Sequence, residues 1–126
     1  MEPLKLERRM TAFRAIDAFT VEAYRVSVAL GAGAGRDLGG ELRRAVIRSG
    51  GAVVAASSAA PGGVEEREHL ERARSALAES RYYLYLARRF GVLDGRRYRA
   101  LTVRQDAALR EISGVIDGPV EVRAPP

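Results

Sequence analysis

Apolar residues recur along this chain at alternating steps of three and four, the period of a helix that buries one stripe. From Ala12 the line passes through Ile16, Phe19, Ala23, Val26 and Leu30, with Arg14, Asp17, Glu22 and Arg25 falling opposite. This predicts a first amphipathic helix, stopped by Gly31-Ala32-Gly33-Ala34-Gly35, because glycine enters turn conformations without a steric cost. A second helix is predicted from near Asp37, read as its N-cap, to about Ser58, carrying Leu42, Val46 and Val53. The third repeats Leu70, Ala73, Leu77, Ser80, Leu84 and Ala87; Glu65, Glu66 and Glu68 at its start and Arg88 and Arg89 at its end suit the helix dipole. Gly91 is its expected stop and Asp94 the next N-cap, before Tyr98, Leu101, Ala108, Ile112 and Val115 trace a fourth helix closed by Gly118-Pro119.

No segment alternates with period two between hairpin turns, and the connections are short, so neighbouring helices are expected to run antiparallel. The predicted fold is all-α: an up-down-up-down antiparallel four-helix bundle over residues 11–117, with an N-terminal extension at 1–10 and a flexible C-terminal tail at 118–126. A chain of 126 residues suits one core, and its 21 alanines call for close backbone approach. From Ser49 to Val64 no residue is charged. A helix apolar all round should be buried all round, so this half either fills the bundle centre or meets another subunit. Gly50-Gly51 in mid-helix implies a bend or a close contact.

Composition narrows the chemistry. Charged residues make up 29% of the chain, no run of 18 apolar residues occurs and there is no cysteine, which points to a soluble, cytoplasmic protein without disulfides or thiolate catalysis. Gly31, Gly33 and Gly35 do not make a dinucleotide loop: Leu38 stands at the third required glycine, and the run follows a helix. Lys5 is the only lysine, so there is no Walker motif. Glu66 and His69 have the spacing of a carboxylate-bridged metal pair, but His69 is the only histidine and no inward glutamate pair accompanies it. No Ser-His-Asp or paired-acid grouping is recognisable, so the expectation is a non-catalytic protein without metal or cofactor.

The net charge is +5, and 20 of the 21 basic residues are arginine. In the expected topology the first and third connections share one end, which collects Arg36, Arg88, Arg89, Arg96, Arg97 and Arg99, with Arg43 and Arg44 one to two turns down the second helix. Residues 81–110 hold eight arginines against Asp94 and Asp106. Arg96, Arg97 and Arg99 stand in the first turns of a helix, where cations oppose the dipole, so a phosphate surface or an acidic protein partner is the implied reason for them. On the third helix Ser75, Ala78, Tyr82, Tyr85 and Arg89 form a second seam facing away from the core, a candidate surface for self-association or for base stacking.

The segments Glu41-Leu42-Arg43-Arg44-Ala45-Val46-Ile47, Leu77-Ala78-Glu79 with Tyr82 and Leu84, and Leu86-Ala87-Arg88-Arg89-Phe90-Gly91-Val92-Leu93 resemble the bacterial four-helix bundle family of ribosomal RNA intervening-sequence proteins. That family is similar to the accessory variability-determinant proteins of diversity-generating retroelements. The resemblance spans about residues 11 to 117. It implies a basic homopentamer of four-helix protomers that binds structured RNA or DNA, with a reverse transcriptase as a further partner in the retroelement branch. It carries over the arginine pair Arg43 and Arg44 and the acidic position Glu79. The sequence departs from the family where Pro-Ser-Asn-Ile-Ala-Glu-Gly is usual: here Gly50-Gly51-Ala52-Val53-Val54-Ala55-Ala56 puts Ala52 and Ala55 in place of the polar Asn and Glu. A protein-protein scaffold that binds no nucleic acid is the alternative function.

Overall fold

The computed structural model describes residues 3–118, with side chains from residue 8 onward. Four helices follow one another: α1 (Pro3–Val28), α2 (Ala34–Ser57), α3 (Val64–Arg89) and α4 (Gly95–Asp117), with no strand among the described residues. Each helix packs on its neighbours in sequence, and α1 closes on α4. Residue numbers fall along α2 as they rise along α1: the Thr20 hydroxyl donates to the Val46 carbonyl (3.4 Å), and Arg9 near the start of α1 donates to Ala56 at the end of α2 (3.3 Å). Likewise Ser49 Oγ donates to the Ala73 carbonyl (3.0 Å) and Arg48 Nη2 to Glu79 Oε2 (3.0 Å), which sets the first turn of α2 level with the last turn of α3.

The core is the one the three-and-four spacing predicts. Ile16, Phe19, Leu42, Leu77, Leu84 and Ile112 are fully enclosed, and the alanines Ala23, Ala45, Ala73 and Ala108 between them let the backbones come close. Helix α2 comes close to α1 at Gly39, where a Cβ would lie 2.7 Å from the Ser27 carbonyl oxygen, and to the α1–α2 turn at Gly35, where it would meet the Leu30 carbonyl.

Several boundaries differ from the sequence reading. The segment expected as an N-terminal extension is helical from Pro3, and it has a role that apolar periodicity does not register. Arg8 and Arg9 donate to the Gly114 and Ala56 carbonyls in the last turns of α4 and α2, the Ala56 carbonyl also accepting from the Ala59 amide at 3.2 Å. Arg9 also faces the buried carboxylate of Glu66 at 2.9 Å, and Glu66 accepts from the Gly62 amide at 3.1 Å, so α1 and the α2–α3 turn are tied together at this end. Asp37 is not the N-cap of α2: Gly33, with φ of 67°, precedes the first residue, and Asp37 lies in the first turn, where its charge still suits the dipole. Residues 119–126 of the expected tail lie outside the described residues.

The uncharged stretch of α2 is not buried all round. Ser49, Val53 and Ala56 face the core, whereas Gly51, Val54 and Ser57 face outward, Val54 being 55% exposed. Nor does a close contact account for Gly50-Gly51, since nothing would lie within 4 Å of a Cβ at either position.

Candidate nucleic-acid interface

The α3–α4 connection is built by two local motifs. Gly91 takes φ of 75° just past the end of α3; its amide donates to Arg88 O (3.1 Å) and the Val92 amide to Ala87 O (3.0 Å), the paired bonds of a Schellman stop. Leu93 is buried and anchors the turn, after which Asp94 caps α4 by accepting from the Arg97 amide at 2.8 Å. That bond, first, and the positive charges of Arg97 and Arg96 hold the Asp94 carboxyl below its usual value. A short, fixed turn thus presents Arg88 and Arg89 beside Arg96, Arg97 and Arg99.

The eight arginines singled out from sequence are held in two ways. Arg43 is half-buried: it donates to Ser27 Oγ (3.1 Å) and stacks 5.8 Å from the centre of the Tyr24 ring, bracing α2 against α1. Arg44 pairs with Glu41, Arg97 with Asp94 (3.6 Å), and Arg89 donates to the Tyr85 hydroxyl (3.0 Å) with its guanidinium 5.8 Å from that ring. Arg36, Arg88, Arg96 and Arg99 are exposed, and among the described residues none of these four pairs with a carboxylate. All four sit in the end turns of their helices around the basic end of the bundle, where the Asp94 carboxylate feels the charge of Arg96 without forming an ion pair with it.

The third-helix seam is open to solvent: Tyr82 and Tyr85 are exposed large side chains on it, with Ser75, Ala78 and Arg89 along the same face. Tyr83 points elsewhere. Its hydroxyl donates to Glu79, which also accepts from Arg48, and this bond to a carboxylate, with partial burial second, raises the phenol to about 12. The acidic position Glu79 is therefore held in a surface network between α2 and α3.

The structure adds a surface that was not singled out from sequence as a binding face. Met10, Val21, Tyr24 and Val28 on α1 and Ile47 and Val54 on α2 are exposed, between 41% and 66%. Two of them, Met10 and Val54, line a cleft of about 450 Å³ between α1 and α2 together with Phe13 and Val53. The sequence signal was there: Val21, Tyr24 and Val28 keep the three-and-four spacing, displaced around the helix from the core line. A second cleft of about 540 Å³ lies between α2 and α3 at Ala52 and Ala76, rimmed by Arg48, His69, Arg72 and Glu79.

His69 and Glu66 do not work as a pair. Arg72 is bonded to His69 Nδ1 at 2.7 Å, Glu66 is turned to Arg9, and among the described residues no three His, Cys, Asp or Glu side chains gather as metal ligands would. None of the described helices is long and apolar enough to cross a membrane. No protein-family model, curated protein or solved structure matches the chain.

Proposed function

We propose that this is a non-catalytic protein that binds structured RNA or DNA through the arginine-rich end of its bundle. One observation carries this reading: Arg36, Arg88, Arg96 and Arg99 stand exposed at one end, and none of the four is held in an ion pair by a carboxylate of the described residues. Arg89 and Arg97 add charge from side chains tethered only at the surface, while Arg43 and Arg44 act mainly as supports. Contacts of this kind read phosphate and shape more than base sequence.

The reading takes the bundle as up-down-up-down, supported by the antiparallel fall of residue numbers in the α1–α2 and α2–α3 contacts. It takes the assembly as a cytoplasmic ring of identical subunits, with the homopentamer and the reverse-transcriptase partner that the family resemblance implies. Two exposed seams support self-association: Tyr82 and Tyr85 on α3, and the Val21, Tyr24, Ile47 and Val54 surface over α1 and α2. Patches on different faces of a subunit join head to tail, the geometry that closes rings, and a ring multiplies weak phosphate contacts by avidity.

The test replaces Arg96, Arg97 and Arg99 by Gln and follows RNA affinity as a function of salt. For every arginine that binds a phosphate, the substitution should lower the log–log salt slope by about one. An unchanged slope and affinity would remove this end from the interface.

A second reading rests on the α1–α2 surface. Six exposed apolar side chains there suit a protein partner, and a scaffold that docks through them would associate without marked salt dependence.

A further inference from the structure

Within that interface, and resting on the nucleic-acid reading, the geometry points to a specific phosphate seat: we propose that Arg88 and Arg99 clamp one phosphodiester group of the bound nucleic acid directly over Gly95. The two arginines come from different helices, Arg88 from the last turn of α3 and Arg99 from the second turn of α4. Yet they converge. The point where a Cβ of residue 95 would stand lies 3.2 Å from Nη2 of Arg88 and 3.4 Å from Nη1 of Arg99. No non-bonded atom can occupy that point itself, about 1.5 Å from the Gly95 Cα; but both guanidinium tips lie over the bare Cα, and an oxygen resting further out in van der Waals contact with it can be met by N–H donors turned from both sides. Two oxygens of one phosphate would each have a partner.

Three further features favour an anion there. First, the point is vacant only because residue 95 is glycine. Its φ is not in the left-handed region, so the backbone makes no demand for glycine at this first residue of α4. The open space over the backbone is the physical consequence of having glycine at this position. Second, two like charges meeting without a counter-ion repel each other, and a bound anion turns that repulsion into attraction. Third, the carboxylate closest in sequence is already engaged: Asp94 is turned to the Arg97 amide at 2.8 Å and to Arg97 Nε at 3.6 Å. The Schellman stop at Gly91 and the Asp94 cap fix the two helix ends, so the two arms are aimed by backbone structure rather than by a flexible loop.

The deciding variant is Gly95→Ala, which leaves the net charge at +5 and puts a methyl group between the backbone and the two guanidinium tips, pushing an anion off the close approach to Cα. It is compared with Arg88→Gln/Arg99→Gln and with Arg104→Gln/Arg110→Gln, which removes the same charge from two exposed positions further along α4. Each protein is titrated against one fluorescein-labelled hairpin RNA by anisotropy at two salt concentrations, with circular dichroism confirming helix content. The clamp is expected to show as an affinity about three- to tenfold weaker for Gly95→Ala with an unaltered fold. The Arg88/Arg99 variant should bind at least about tenfold more weakly, with a salt slope lower by about two, and more weakly than the Arg104/Arg110 variant. If the wild-type protein binds the hairpin but Gly95→Ala binds equally well, or the two arginine pairs weaken binding equally, the clamp is wrong and the broader interface stands. If the wild-type protein does not bind at all, the nucleic-acid reading fails and takes the clamp with it.

Discussion

Gln105 and Ser80 meet inside the bundle with no exposed surface on either, the Gln105 amide donating to Ser80 Oγ at 2.8 Å and to the Leu77 carbonyl at 2.6 Å. The amide oxygen accepts from Arg81, whose other arm reaches Asp106 on the surface. One buried side chain of α4 therefore ties two turns of α3 and connects the core to an exposed ion pair. Replacing it by an apolar residue of similar size removes its bonds to Leu77, Ser80 and Arg81, while Ser80 Oγ keeps its own donation to the Leu77 carbonyl and Arg81 keeps Asp106. We expect Gln105→Leu to lower stability by about 0.5–1.5 kcal/mol, the net worth of the lost hydrogen bonding with no buried group left wholly unpaired, read as a lower urea midpoint with an unchanged slope.

The glycines of α2 are expected to respond in opposite directions. At Gly39 a methyl would meet the Ser27 carbonyl oxygen at 2.7 Å, backbone that moves only if α1 and α2 separate, so Gly39→Ala should destabilise by about 1–3 kcal/mol. At Gly51 a methyl meets nothing within 4 Å, and Gly51→Ala should stabilise the subunit by about 0.5–1 kcal/mol through helix propensity. Thermal melts of the two variants beside wild type check both signs.

Two groups give the molecule a defined pH response. Tyr83 is raised from 10.0 to about 12 by its bond to Glu79, so the folded state keeps a proton that the unfolded state gives up. The stability this contributes is complete below pH 10.0 and is lost as pH rises toward 12. Asp94 runs the other way: its carboxyl is lowered from 3.8 in the fold, so its contribution is present above that pH and disappears as acid protonates the cap. Tyr83→Phe should flatten the alkaline limb of the stability curve, and Asp94→Asn the acid limb, each leaving the other limb in place.

If the two exposed seams join successive subunits, a change on either should dissociate the assembly without unfolding the subunit. Tyr82→Ala/Tyr85→Ala alters one surface and Ile47→Glu/Val54→Glu the other; all four side chains are at least 43% exposed, so the fold should tolerate both changes. Light scattering is expected to give a smaller mass for each pair than for wild type. An unchanged mass in both would place the contact elsewhere.

The helix count and the core were legible in the sequence because burial follows a strict spacing. Leu70, Ala73, Leu77, Ser80, Leu84 and Ala87 are all buried on α3, and Gly91 and Asp94 terminate and cap where their chemistry suggests. What was not legible depends on pairs distant in sequence. Arg8 and Arg9 look like a polar extension until the Gly114 and Ala56 carbonyls stand beside them. Arg43 and Arg88 are equally charged on paper, yet one is engaged by Ser27 and Tyr24 and the other points at Gly95. The sequence implies a bend or a close contact at Gly50-Gly51, but the close contacts of α2 glycines fall at Gly35 and Gly39, because helix crossing geometry, not local composition, decides where backbones touch. The candidate interface was legible as a concentration of arginine; which guanidinium groups lack a carboxylate was not.

The most direct test of the central claim is an anisotropy titration of the wild-type protein with a structured RNA and a duplex DNA at low and moderate salt, with mass by light scattering on the same sample. Binding through exposed arginines on an oligomer should be tight at low salt and weaken by about a factor of ten or more at moderate salt, with a mass several times that of one chain. An oligomer that binds neither nucleic acid at low salt would contradict the account and leave the apolar surface over α1 and α2 as the working part of the molecule.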